Sequence, residues 1–112
     1  MPNSNTAEIQ ISIDEANEAI AFANSLEKLH KNRDFKKVIV DGYFKKEAIR
    51  LVNLKADPNM QSPEKQAAVV QAIDSIGALR NFFGTAYHQA DWARNAIEAA
   101  EEELEAIRTE EG

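Results

Sequence analysis

Twelve apolar residues, Val69, Ala72, Ile76, Leu79, Phe83, Ala86, Ala90, Ala93, Ile97, Ala100, Leu104 and Ile107, follow one another at spacings of three and four. Such spacings put side chains on one stripe of an α-helix, and a stripe kept for this many turns requires a helical neighbour along its length. No strand alternation competes with it. Gly and Pro are scarce, and Ala, Glu, Lys, Leu and Ile fill the central stretches, so the predicted class is all-α. The expected architecture is a small helical bundle with a long C-terminal helix forming a coiled-coil-like seam.

Element ends follow from local signals. Residues 1–11 lack helical periodicity and are rich in Asn, Ser and Thr, which predicts a mobile arm. Ser12 and Glu15 have capping-box spacing, so a first helix is expected over about 12–31. Its face is wide: Ile13, Ala16, Ala19, Ile20, Phe22, Ala23, Leu26 and Leu29. Asn32-Arg33-Asp34 supplies a break and a cap, and Asp41-Gly42 a second interruption. An Asp-Gly pair suits a hairpin turn, but the following Tyr43-Phe44-Lys45-Lys46-Glu47 does not alternate, so two helices, about 33–41 and 43–56, are preferred.

Asp57-Pro58-Asn59 ends that element, and Ser62-Pro63-Glu64 starts the next with Ser as cap and Pro in the first turn. The long helix is expected over 63–108, about 69 Å at 1.5 Å per residue, with 109–112 a frayed acidic tail. Residues 12–108 thus read as one helical domain. Ile73, Phe82, Tyr87 and Trp92 widen the seam up to Trp92, so its first half should pack on the preceding helices. From Ala93 it narrows to the repeat alone and should project to meet another chain. Phe83, Ala86, Ala90, Ala93, Ile97, Ala100, Leu104 and Ile107 are therefore the expected helix interface. Gly77 and Gly84, seven residues apart, read as tolerated glycines or as a bend; a break at Gly84 would fold the helix into a hairpin.

Charge is unevenly distributed. Residues 1–27 carry five acids and no base, residues 28–55 nine bases and three acids, and residues 98–112 seven acids and one base, within a net charge of -6. Lys36, Lys37, Lys45 and Lys46 in the basic middle, and Glu101, Glu102, Glu103 and Glu105 at the acidic end, are candidate electrostatic contacts, joining one subunit to the next or a host protein to the acidic end or the basic middle. Bases between aromatic residues could meet nucleic acid phosphates, but their helical spacing and the acidity of the whole chain favour a solvated face.

Catalytic chemistry is not expected. Cysteine is absent, which removes thiolate ligands, thiol nucleophiles and disulfides. Glu27-Lys28-Leu29-His30 has the Glu-x-x-His unit of di-iron bundles, but such a site needs a second copy and two more carboxylates. His88 and Asp91 share a helical face, yet two ligands do not close a zinc site. No catalytic residue, metal or cofactor is assigned. Neither an export signal nor an apolar run long enough to span a bilayer is recognised, so the chain reads as soluble and unexported, without a membrane partner.

The stretch from Asn32-Arg33-Asp34-Phe35-Lys36-Lys37 through Val38-Ile39-Val40-Asp41-Gly42-Tyr43-Phe44, with Lys55-Ala56-Asp57-Pro58 and Ile73-Asp74-Ser75-Ile76-Gly77-Ala78-Leu79-Arg80, resembles small uncharacterised acidic helical proteins of tailed bacteriophages. The resemblance implies a viral setting, in the host cytoplasm or the phage particle, and a role in virion structure or assembly. Binding and inhibiting a host protein is the alternative it leaves open. It supplies no functional residues.

Overall fold

The fold, taken from a computed structural model, is described for residues 4–111. Helix α1 spans Ser4–Lys31, α2 Arg33–Phe35, α3 Ala48–Ala56 and α4 Pro63–Glu111. A π-helical stretch, Lys36–Glu47, runs without interruption from α2 into α3, and a single 3-10 turn, Pro58–Met60, precedes α4. No strand occurs among the described residues.

The chain divides into two compact units, one formed by residues up to Leu26 with those from Thr85 onward, the other by Glu27–Gly84. In the first, α4 packs against α1 in antiparallel fashion. Residues Asn5 to Ser12 share one shallow groove with Ala96 to Glu103, and Thr6 and Gln10 share another with Leu104 to Glu111. Ile13, Ala16, Ala23 and Leu26 of α1 are buried, as are Ala86, Ala90 and Ala93 of α4. Small side chains at most of these positions let the two backbones approach closely.

The narrow half of the seam, expected to project toward another chain, therefore closes on α1 of the same chain. The helix start at Ser12 is corrected for the same reason. Ile9, four residues before Ile13 and half-buried, extends the α1 stripe upstream, and α4 provides the surface on which those turns settle. Residues 4–11 are thus helical, and the first three residues of the expected arm lie outside the described ones. The α1 face is also narrower than expected, since Phe22 and Leu29 are exposed. At the other end Thr109–Glu111 remain helical, and Gly112 lies outside the described residues.

The second unit has a core of larger side chains. Leu51, Val69 and Ile76 are buried together, with Tyr43, Phe44, Ala48, Leu54, Met60, Ala72 and Ile73 packed around them. Its corner is fastened by amides. Gln61 and Gln66 both donate through Nε2 to the Lys55 carbonyl at 2.9 Å, and further bonds reach the carbonyls of Asp57 (from Gln61) and Met60 (from Gln66), each 2.7 Å. The bonds to Lys55 and Met60 satisfy backbone acceptors at the end of α3 and the turn, and the Asp57 carbonyl accepts from Gln61 in addition to the Met60 N–H of the turn at 3.0 Å. Asp57 Oδ1 accepts from the Asn59 N–H at 2.8 Å, and Ser62 Oγ from the Lys65 N–H at 3.3 Å, capping the turn and α4.

Asp41-Gly42 makes neither a turn nor a helix break. The backbone stays helical through it, no glycine among the described residues has positive φ, and Lys45 Nζ lies 3.6 Å from Asp41 Oδ1 across the glycine. A type I′ hairpin needs positive φ at both central residues, so that turn is excluded. The glycine serves packing instead: a Cβ there would stand 3.2 Å from the Lys37 carbonyl oxygen, five residues back along the wide turn. At Gly77 and Gly84 a side-chain methyl would meet nothing within 4 Å, and α4 passes through both unbroken.

Candidate functional site

Two surfaces carry features beyond core packing, one in each unit. The first unit is acidic: it contains twelve Asp and Glu residues and two bases, Arg94 and Arg108. Both bases already sit beside an acid of their own helix, Arg94 on Asp91 at 2.9 Å and Arg108 on Glu105 at 3.5 Å. Glu101, Glu102 and Glu103 are exposed and make no ion pair with a described residue. Negative charge thus accumulates at the C-terminal end of α4, where the helix dipole is itself negative. Large apolar groups stand among the acids, with Trp92 70% exposed and Ile11 and Phe22 more than half exposed.

Of the interface residues expected from the repeat, Ala86, Ala90 and Ala93 are buried and Ile97, Ala100, Leu104 and Ile107 half-buried, all within this unit. Phe83 belongs to the other unit. Phe82 and Trp92, expected to widen the seam, are largely exposed.

The second unit is basic, with eleven Lys and Arg residues against seven acids. Lys36, Lys37, Lys45 and Lys46 all lie on the π-helical stretch and are all exposed. Exposed Val38, Ile49 and Val52 accompany them along the same continuous helical path. Glu47 and Arg50 make a two-pronged contact, with Arg50 Nη2 2.9 Å from Glu47 Oε2. The hydrogen bonds from Arg50 hold the Glu47 carboxyl below its usual range, and Glu47 in turn raises the guanidinium.

The aromatic residues of this unit converge. His30 stands edge-on to Phe35 and to Phe83, with ring centroids 5.1 Å apart in both cases, and Phe44 meets Phe83 at 5.9 Å. His30, Val40, Phe44, Arg80 and Phe83 line an open cleft of about 240 Å³. The Arg80 guanidinium lies over the Phe44 ring, 5.6 Å from its centroid. Edge-to-face ring pairs and a cation over a ring face are each favourable arrangements, so the cluster also contributes to stability.

The catalytic-looking fragments of the sequence are dispersed into other roles. Glu27 pairs with Lys31 at 3.3 Å, while His30 turns into the ring cluster and Asp91 engages Arg94. No group of three or more His, Asp or Glu side chains among the described residues is placed to hold a metal. No helix among them is long and apolar enough to cross a membrane. Arg80 and Val40 are the cleft residues that sequence reasoning passed over. Nothing local marks either one, since the cleft joins residues from three distant segments.

Comparison with known protein families, characterised proteins and solved structures gave no match.

Proposed function

We propose that this chain is a non-enzymatic, self-associating helical protein that works through protein–protein contacts, as a structural or assembly component of a tailed phage. The observation that supports this reading is the segregation of charge between the two units. Formal charge is -10 on the first and +4 on the second, so the acidic unit of one copy and the basic unit of another are complementary. Complementary fields accelerate encounter and fix register, and the exposed apolar residues on each unit provide area that water would leave on association. Lys36, Lys37, Lys45 and Lys46 on one copy, facing Glu101, Glu102, Glu103 and Glu105 on another, are the contacts assigned to it. The phage setting rests on the family resemblance of about residues 32–105.

Light scattering across a salt series tests the reading. Native mass should exceed that of one chain at low ionic strength and fall toward it as the Debye length shrinks from about 10 Å at 0.1 M salt to about 3 Å at 1 M. A monomer at every salt concentration would refute self-association. The second reading, a module directed at a host protein, draws on the same unpaired glutamates. A monomer that captures one bacterial protein, and loses it when Glu101, Glu102 and Glu103 become Gln, would select that reading instead.

A further inference from the structure

We infer that the aromatic cleft of the second unit is a binding site for a small apolar carboxylate, an inference independent of self-association. The composition of the cleft determines the charge of its ligand. Phe44 and Phe83 offer flat apolar walls, Val40 an aliphatic one and His30 an imidazole ring, and the one formally charged side chain among the described lining residues is Arg80. Arg80 is exposed and joins none of the ion pairs among the described residues, and its guanidinium lies over the Phe44 ring. No acid among the described residues lines the cleft.

An aromatic pocket without a cation would suit a quaternary ammonium group. Here the guanidinium already covers one ring and repels a second cation. A neutral ligand would leave the fork of Arg80 donors unused. A carboxylate accepts that fork in bidentate geometry, while an apolar body beside it covers the rings. The excess of bases in this unit raises the local concentration of anions as well.

Size narrows the class further. The cleft's 240 Å³ lies below the roughly 300–1,000 Å³ of pockets that hold drug-sized molecules. A single-ring or short-chain acid fits it. The local backbone points the same way, because Val40 and Phe44 both belong to the π-helical stretch. Wide helical turns are rare, and where they persist they frequently mark functional sites.

The test uses the intact chain, titrated with phenylacetate, with neutral phenylacetamide, and with cationic phenethylamine, followed by calorimetry and by NMR shifts of the aromatic side chains. Phenylacetate should bind saturably and move the Phe44 and Phe83 resonances, with the amide about ten-fold weaker and the amine weaker still. Arg80→Gln should weaken phenylacetate about ten-fold and abolish the preference for acid over amide. Lys65→Gln, which removes a charge of the same unit outside the cleft, should leave binding unchanged. Circular dichroism checks that each variant retains its helices, and Arg80→Lys provides a second, milder variant, which should weaken the acid by loss of the bidentate fork. Absence of saturable phenylacetate binding to the native chain would overturn the proposal. Equal affinity for acid and amide, or an unchanged affinity in a folded Arg80→Gln, would also overturn it.

Discussion

The two units solve one problem, burying a helical stripe, with opposite materials. The first closes α1 on α4 through Ala16, Ala23, Ala86, Ala90 and Ala93, with Ile13 and Leu26 as the buried side chains larger than Ala among its described residues. The second fills its centre with Leu51, Val69 and Ile76 and surrounds them with aromatic and branched residues. Close backbone approach makes the first sensitive to added volume, whereas large side chains make the second sensitive to lost volume. Their surfaces differ as sharply, one acidic and one basic. Core and surface thus divide the work: the interior holds each unit together, and the charge contrast is available for association.

Breaking the larger core should cost most. Leu51→Ala removes a side chain that is 3% exposed, and thermal or denaturant unfolding should register a loss of about 2–5 kcal/mol. Ala90→Leu asks the reverse of the first unit. At 1% exposure the site has no room for added methylenes, so a loss of about 1–3 kcal/mol is expected, with hydrogen exchange accelerating in Ser4–Leu26 before Glu27–Gly84. The same unit should lose helicity in Ile97→Asp with Leu104→Asp, because those residues serve an intrachain contact. Retention of full helicity there, with a change in mass alone, would restore the view that this half of α4 meets another chain.

Smaller effects sharpen the contrast. Gln66→Ala removes the side-chain donor of the Met60 carbonyl and leaves the Lys55 carbonyl with Gln61 alone, and should reduce stability by about 1–2 kcal/mol in a denaturant titration. Gly84→Ala adds a methyl group where nothing lies within 4 Å, so the helix should gain up to about 1 kcal/mol. At Gly42 the same change meets the Lys37 carbonyl oxygen, and the gain should be absent or reversed.

The Glu47–Arg50 contact is the least consequential. Because the folded pKa of Glu47 is depressed, its contribution is present above the ordinary carboxylate pKa and disappears as pH falls through the folded value. Glu47→Gln should therefore lower the melting temperature slightly at neutral pH and not at all in strong acid.

The all-α class and the long C-terminal helix were legible because a 3-4 repeat is itself a statement of helical geometry, and Ser62-Pro63 stands where α4 begins. The partner of that repeat was not legible. A stripe specifies a helix opposite it, but not whether that helix is supplied by the same chain, and here Thr6 and Ile107, at opposite ends of the sequence, share one groove. Ile9 shows the limit of reading locally: within Asn5-Thr6-Ala7-Glu8-Ile9-Gln10-Ile11 it looks like part of an arm until α4 is placed beside it. Asp41-Gly42 is a strong turn signal taken alone, yet the glycine is used for a close carbonyl contact inside a wide helix. Phe44, Phe83 and His30 were each visible as apolar or titratable residues. Their convergence with Arg80 depends on tertiary contacts that no spacing encodes.

The central claim, association through opposite charge on the two units, is tested most directly by native mass measured on a charge-swap pair. One variant converts Lys36, Lys37, Lys45 and Lys46 to Glu, and the other converts Glu101, Glu102, Glu103 and Glu105 to Lys. Each alone should be monomeric at low salt, and an equimolar mixture should recover the mass of the native assembly. Either variant keeping the native assembly on its own, or a mixture that stays monomeric, would contradict the account.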